Sequence, residues 1–215
     1  TTWAKSQSTK VTASGTNLNA SSLKYTWVTA GSTAPTESSI RTSFTNGQTI
    51  TKSTGTGQFI LYALAKDTSG NTTIANSSIF YIDNTVPKVT VSPTTGETTK
   101  VKITASDDDS GLSSSNSYQY YFSTSSTSLA GGSWKTYTSG QEITIDTNLE
   151  GTYYLFIKTV NDTAGNTSST STTTVSGTRY HRYGPYELGT TNSGDEGGSG
   201  STNDTIAPVV SVTQD

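Results

Sequence analysis

The sequence predicts an all-β chain built as two tandem β-sandwich domains. Three observations lead there: alternating hydrophobicity, turn residues at short intervals, and an internal repeat. Apolar side chains alternate along the clearest segments, as in Phe59, Leu61, Ala63 and Ala65, and in Tyr153, Leu155, Ile157 and Thr159. A period of two is the pattern of a strand with one buried face. Gly, Asn, Asp and Ser interrupt the chain roughly every 8 to 12 residues, which is the rhythm of sandwich turns. Thr runs such as Thr172 to Thr174 disfavour helix, because a β-branched side chain is crowded by the preceding turn. About seven strands per domain and almost no helix are expected.

Composition agrees with this class and excludes others. The 215 residues carry 13 Lys plus Arg against 16 Asp plus Glu, a formal net charge of -3. Only 29% are hydrophobic, and 79 are Ser or Thr. A sandwich tolerates such polarity because only its inner faces must be apolar. Disorder would require high net charge as well as low hydrophobicity. With no basic cluster, nucleic acid and anionic membranes are not expected partners. No apolar run approaches 18 residues, so no membrane span is expected. There is no Cys and one His. Disulfides, thiol catalysis and the usual zinc sites are therefore excluded, and a triad has little to draw on. The chain shows no phosphate loop, no catalytic carboxylate pair and no nucleophile–base set, so neither an enzyme nor an organic cofactor is expected. The lack of Met suggests a processed product or a piece of a longer protein.

The repeat sets the domain limits. Residues 57–71 read GQFILYALAKDTSGN and residues 151–166 read GTYYLFIKTVNDTAGN, an offset of about 95 residues. Upstream, Gly47-Gln48-Thr49-Ile50 matches Gly140-Gln141-Glu142-Ile143, and Lys10-Val11-Thr12-Ala13-Ser14 matches Lys102-Ile103-Thr104-Ala105-Ser106. A third fragment recurs: IDNTVPKVTV at 82–91 and NDTIAPVVSV at 203–212. In the second domain this segment is the opening strand, strand A. The expected division is domain 1 at 1–82, domain 2 at 83–178, an insertion or linker at 179–203, and an isolated strand A at 204–215.

The order Asp-x-x-x-Pro strand, Gly-Thr-Tyr-Tyr strand and Asp-Thr-Ala-Gly-Asn turn resembles the bacterial immunoglobulin-like repeats of cell-surface proteins. The resemblance covers about residues 1–178 and the final dozen. It implies two immunoglobulin-like sandwiches in an extracellular, cell-surface setting, and it implies no single ligand, because the fold serves many functions.

Aligning the two ends gives a sharper expectation. Domain 1 starts just after the position of strand A, and the final residues are a strand A with no domain behind them. A sandwich without this strand has an open sheet edge, a template for strand addition. Ile206, Pro208, Val210 and Val212 share one parity and should face inward. Burying four such side chains is worth roughly 6–12 kcal/mol before ordering costs. The expected function is a non-enzymatic structural subunit of a surface filament or stalk, in which copies join head to tail by donating strand 204–213 to domain 1 of the next unit. One long polypeptide carrying the same repeat would satisfy the same complementarity. Rival readings are an adhesin module that binds a glycan or host receptor, and an accessory domain pair of a larger surface protein.

Two further groups stand out. Arg179, Tyr180, Arg182, Tyr183 and Tyr186 are concentrated in the insertion, and Tyr and Arg dominate contact hot spots. A docking patch and a segment lying on its own sandwich are both consistent with them. Asp107, Asp108 and Asp109 lie in one loop, and the sandwich should bring that loop to one pole with Asp83 and Asp162. Oxygen ligands from three loops suit calcium. Asp67 and Asp162 also read as turn residues whose side chains bond the following backbone, with Gly70 and Gly165 supplying positive φ. Domain 1 has no acid at the matching loop, so its pole is expected to bind no metal.

Overall fold

A computed structural model describes residues 2–146 and 148–189. Domain 1 contains β1 (Gln7–Lys10), β2 (Leu18–Thr29), β3 (Thr42–Ser43), β4 (Thr49–Lys52), β5 (Gly57–Asp67) and β6 (Thr72–Ile82). Domain 2 contains β7 (Lys88–Ser92), β8 (Gly96–Glu97), β9 (Lys100–Ser106), β10 (Gln119–Ser123), β11 (Lys135–Thr136), β12 (Glu142–Thr144), β13 (Gly151–Lys158), β14 (Thr172–Val175) and β15 (Thr178–Leu188). One short 3-10 turn, Glu37–Ser39, is the helical exception among the described residues.

Each domain pairs a small sheet with a larger one. In domain 2 the order β12-β9-β7 faces β11-β10-β13-β15-β14, with β8 added in parallel to β15. Two antiparallel sheets, with the opening strand divided between them, make an immunoglobulin-like sandwich. In domain 1 the order is β1-β4 facing β3-β2-β5-β6. The repeat read from the sequence is kept residue by residue in the pairing. Lys10 stands opposite Thr49 as Lys102 stands opposite Glu142. Gly47 donates its N–H to Val11 as Gly140 does to Ile103, at 2.9 and 2.8 Å.

The two cores differ in depth. Fifteen buried residues fill domain 2, including Val89, Ile103, Leu155, Ile157 and Tyr186, each no more than 0% exposed. The corresponding cluster of domain 1 has four, Leu23, Phe44, Ile50 and Leu61, with Ile40, Leu64, Phe80 and Ile82 buried outside it. Trp27 packs edge-on against Phe80 at 4.9 Å, so it belongs to the core side as its parity implies.

The segment expected to be an insertion is corrected in its first half. Thr178–Leu188 is β15, which lies between β13 and β14 within the sheet. It occupies the place that β6 holds in domain 1: Gly57 pairs with Ile82, and Gly151 with Leu188. Part of the extra length is the β14–β15 hairpin, which domain 1 lacks. Between Leu188 and Pro208 lie 15 more residues than between Ile82 and Pro87, since 20 less 5 is 15.

His181, the one histidine, is fully buried in this hairpin. Its Nδ1–H donates to the Thr170 carbonyl, which leaves Nε2 to accept the Ser168 hydroxyl at 2.7 Å. Burial lowers its pKa, and the bond to Thr170 opposes this only in part. The unfolded chain therefore binds the proton more readily than the folded one. The stabilisation is complete above the ordinary value of about 6.5 and is lost as pH falls below it. Chemical denaturation of the chain between pH 7 and pH 5 should show a larger fall in the domain 2 midpoint for the wild type than for His181→Gln, the opposing contribution of Asp107 being common to both. Identical profiles for the two would contradict this.

Candidate functional site: an open sheet edge and an acidic joint

In domain 2, β7 lies along β9, with Val89 opposite Ala105, Thr90 opposite Thr104 and Val91 opposite Ile103. Pro87, Val89 and Val91 are buried while Lys88, Thr90 and Ser92 are exposed, as the period of two requires. The counterpart of β9 in domain 1 is the stretch ending in Val11–Ser14. It begins as β1 beside β4, but Val11–Ser14 belong to no strand, and among the described residues none lies along their far side. Ile103 and Ala105 are 0% and 6% exposed, whereas Val11 and Ala13 are only half-buried.

Backbone directions show which side is open. Val11 faces β4, accepting from Gly47 and donating to Gln48. Ala13 faces the same way and is held by the Asn46 side chain, which accepts its N–H at 2.8 Å and donates to its carbonyl at 2.7 Å. Ser139 holds Ala105 in the same manner. Alternate residues of an extended strand point to the other side, so Thr12 and Ser14 present their N–H and C=O groups where β7 would be. Among the described residues these groups meet no partner. Beside them is a cavity of about 350 Å³, walled by Val11, Ala13, Leu18, Phe44, Ala63 and Ala65.

Domain 1 does keep the second half of its opening strand. Ala4 bridges Ile82 in parallel, as β8 bridges β15 in domain 2, and Trp3 packs on Tyr81 at 5.4 Å. Among the described residues, the piece without a counterpart in domain 1 is thus β7 alone. The segment that matches it in sequence, with Ile206, Pro208, Val210 and Val212, lies outside the described residues.

The second feature lies where the domains join. Asp83, Asp107 and Asp162 each place a carboxylate oxygen within 4.8 Å of the others. Asp83 and Asp162 are 0% and 2% exposed. The Asp-Thr-Ala-Gly-Asn turn positions one of them: Gly165 has φ +87°, and Asp162 Oδ1 accepts the Asn166 N–H at 2.7 Å. Asp83 accepts from Thr85 N at 2.8 Å and from Ser110 N at 3.2 Å. Asp107 Oδ1 accepts from Gly111, while its buried Oδ2 has no partner. Burial raises the pKa of Asp107, and the charges of Asp83 and Asp162 raise it further. Among the described residues the ion pairs are Lys66–Glu37 and Lys100–Glu142, so no cation answers this cluster. Three hard oxygen donors, an orphaned buried lone pair and no counter-charge fit a divalent cation of the calcium type. Of the five expected ligands the structure gathers these three, whereas Asp108 and Asp109 are exposed and stand outside the group.

The expected docking patch is redistributed by β15. Tyr186 is fully buried and bonds the Pro93 carbonyl at 2.9 Å, so it is a core residue. Tyr183 donates to the Val89 carbonyl at 2.6 Å and packs on the same core. Tyr180 is on the other face, in an aromatic cluster with Trp134, Tyr121 and Phe156. Arg182 reaches the Ser126 carbonyl at 2.8 Å, and Arg179 is exposed. Tyr183 and Tyr186 thus join the main core, Tyr180 joins the aromatic cluster and the two arginines are exposed, so the five do not form one patch.

No family model matches the chain, and no curated protein matches it. Among solved structures, the fibronectin(III)-like modules of Clostridium thermocellum CbhA are similar over 87% of this chain and 87% of their own, with 14% identity and a TM-score of 0.29. No helix among the described residues is long and apolar enough to cross a membrane.

Proposed function

We propose that the protein is an extracellular structural subunit whose copies join head to tail, residues 204–213 of one chain completing the small sheet of domain 1 in the next. The observation that carries this reading is the open edge at Val11–Ser14 with its 350 Å³ cavity, set beside an equivalent edge in domain 2 that β7 fills. The sequence match fixes the register. Val210 falls opposite Ala13 and Val212 opposite Val11, while Val209, Ser211 and Thr213 meet Ser14, Thr12 and Lys10.

Reach favours a neighbouring chain over self-closure. Fifteen residues lie between Leu188 and Asp204, and the sixteen steps between them span at most ~58 Å. The turn end of the groove, at Asp67 and Asn71, and the Leu188 end of domain 2 lie at opposite extremes of β5 and β15. Those strands have 11 residues each, or about 36 Å apiece. If the two sandwiches extend end to end, two strand lengths exceed this tether and a chain's own groove lies beyond it.

The acidic joint supplies rigidity in this reading. Asp83, Asp107 and Asp162 would hold calcium, whose charge offsets three carboxylates and ties the linker to two loops of domain 2. A second reading, a carbohydrate-binding surface module, is favoured by the Trp134–Tyr180 stack at 5.3 Å with Lys158 over the Trp134 ring.

The direct test is a peptide of residues 204–215 added to a chain ending at Asn203, which keeps every described element. The peptide should bind one-to-one and raise the melting temperature of domain 1 while leaving domain 2 unchanged. Absence of binding would end the strand-donation reading, whereas glycan binding lost with Trp134→Ala would support the second.

A further inference from the structure

The Asp-x-x-Gly-Asn turn occurs in both domains, yet its asparagine is fully used in only one. In domain 2, Asn166 is 6% exposed. Its side-chain amide donates to Asp162 Oδ2 at 2.7 Å and to the backbone carbonyl of Asp83 at 2.9 Å. The first bond orients the amide. The second grips the chain four residues before Pro87, just where it enters the groove as β7. An amide NH₂ has two donors, and here both are spent.

Domain 1 builds the same turn. Asp67 Oδ1 accepts the Asn71 N–H at 2.9 Å, and Asp67 Oδ2 accepts the Asn71 side-chain amide at 2.6 Å. Gly70 takes φ +92°, close to the +87° of Gly165. Asn71 lines the groove, and among the described residues its amide makes only the bond to Asp67. The orienting bond is thus in place and the gripping bond is not. In the sequence register Asp204 takes the place of Asp83, four residues before Pro208.

We propose that Asn71 is the clamp of the inter-chain junction, its second amide N–H donating to the backbone carbonyl of the incoming Asp204 and so setting the register of the donated strand. The inference rests on the strand-donation reading and adds the residue that recognises the arriving segment. Asp67 is a positioning residue, since it acts through Asn71. Gly15 stands where Asp107 does in domain 2, so this junction gathers two carboxylates against three, and the amide contact carries the recognition there.

The experiment is a double-mutant cycle on the chain ending at Asn203, with peptides 204–215 and 206–215 as probes, the second lacking the carbonyl in question. Asn71→Ala should weaken binding of the long peptide roughly 3–10-fold, the range of one net hydrogen bond. Shortening the peptide should weaken binding by a similar factor. Once the peptide is short, Asn71→Ala should have no further effect, because the two changes remove one bond. Asn166→Ala, in domain 2, should leave both affinities as they are. Independent, multiplying effects would overturn the clamp even if the turn itself had loosened, as would full affinity in Asn71→Ala. Failure of the long peptide to bind the unaltered chain would instead overturn strand donation itself.

Discussion

Chains ending at Asn203 are expected to remain monomeric under conditions in which the full chain assembles. The physical reason lies in domain 1. Its main cluster has four buried residues, and among the described residues no strand covers the Val11–Ser14 side of it. The half-buried Val11, Ala13, Ala63 and Ala65 correspond to residues that β7 helps to cover in domain 2. A strand that supplies Val210 and Val212 would cover this surface and close backbone bonds at Thr12 and Ser14. In an antiparallel ladder each hydrogen-bonded pair exchanges two such bonds. Removing the strand removes both contributions at once, so the expected effect is loss of assembly and not a graded weakening. Val212→Asp should behave like the truncation, because it brings a charge to the position opposite Val11. Sedimentation of the full and shortened chains checks the point. Equal assembly of both would mean that the contacts between copies lie elsewhere.

The second large effect concerns calcium. The weaker class of protein calcium sites has dissociation constants of about 0.1–1 mM. At about 10 mM calcium that gives roughly 1.4–2.7 kcal/mol of stabilisation, or a rise of roughly 6–20 °C for a domain of this size. The transition that moves should be that of domain 2, with Asp162→Asn and Asp107→Asn removing the response and Asp108→Asn keeping it. The pH dependence follows from Asp107. Its folded carboxyl holds a proton more tightly than the unfolded one, so metal-free protein loses that stabilisation as pH rises through the raised value. Bound calcium would take the place of the proton above it, so its effect should fade on acidification. A calcium response that survives Asp162→Asn would place the ion elsewhere.

Much of the fold was legible because the repeat puts the same residue types at the same ladder positions. Lys10-Val11-Thr12-Ala13-Ser14 and its later copy identify one strand, and the inward parity of Val89 and Val91 is visible in KVTVS. The open edge was legible for the same reason, since a missing member of a repeat is as readable as a present one. β15 was not. RYHRYGPYEL lacks clean alternation because both of its faces are covered, with Tyr186 and Leu188 in the main core and Tyr180 in the aromatic cluster. A strand buried on two sides loses the period-two signal, and five aromatic and basic side chains then read as a contact surface. The acidic site was half legible. Asp83 and Asp162 are tied to turn motifs that fix their direction, whereas Asp107, Asp108 and Asp109 are chemically identical in sequence. Only the loop conformation, in which Asp107 caps Gly111, distinguishes the one that turns inward.

The absence of cysteine allows the register to be measured directly. In domain 2, Thr90 stands opposite Thr104, and the matching pair across the junction is Ser211 and Thr12. Oxidising an equimolar mixture of Thr12→Cys and Ser211→Cys chains should yield a disulfide-linked dimer in denaturing gels, whereas Thr12→Cys mixed with Thr213→Cys should yield little. Equal cross-linking in both mixtures, or none in the first, would contradict the account.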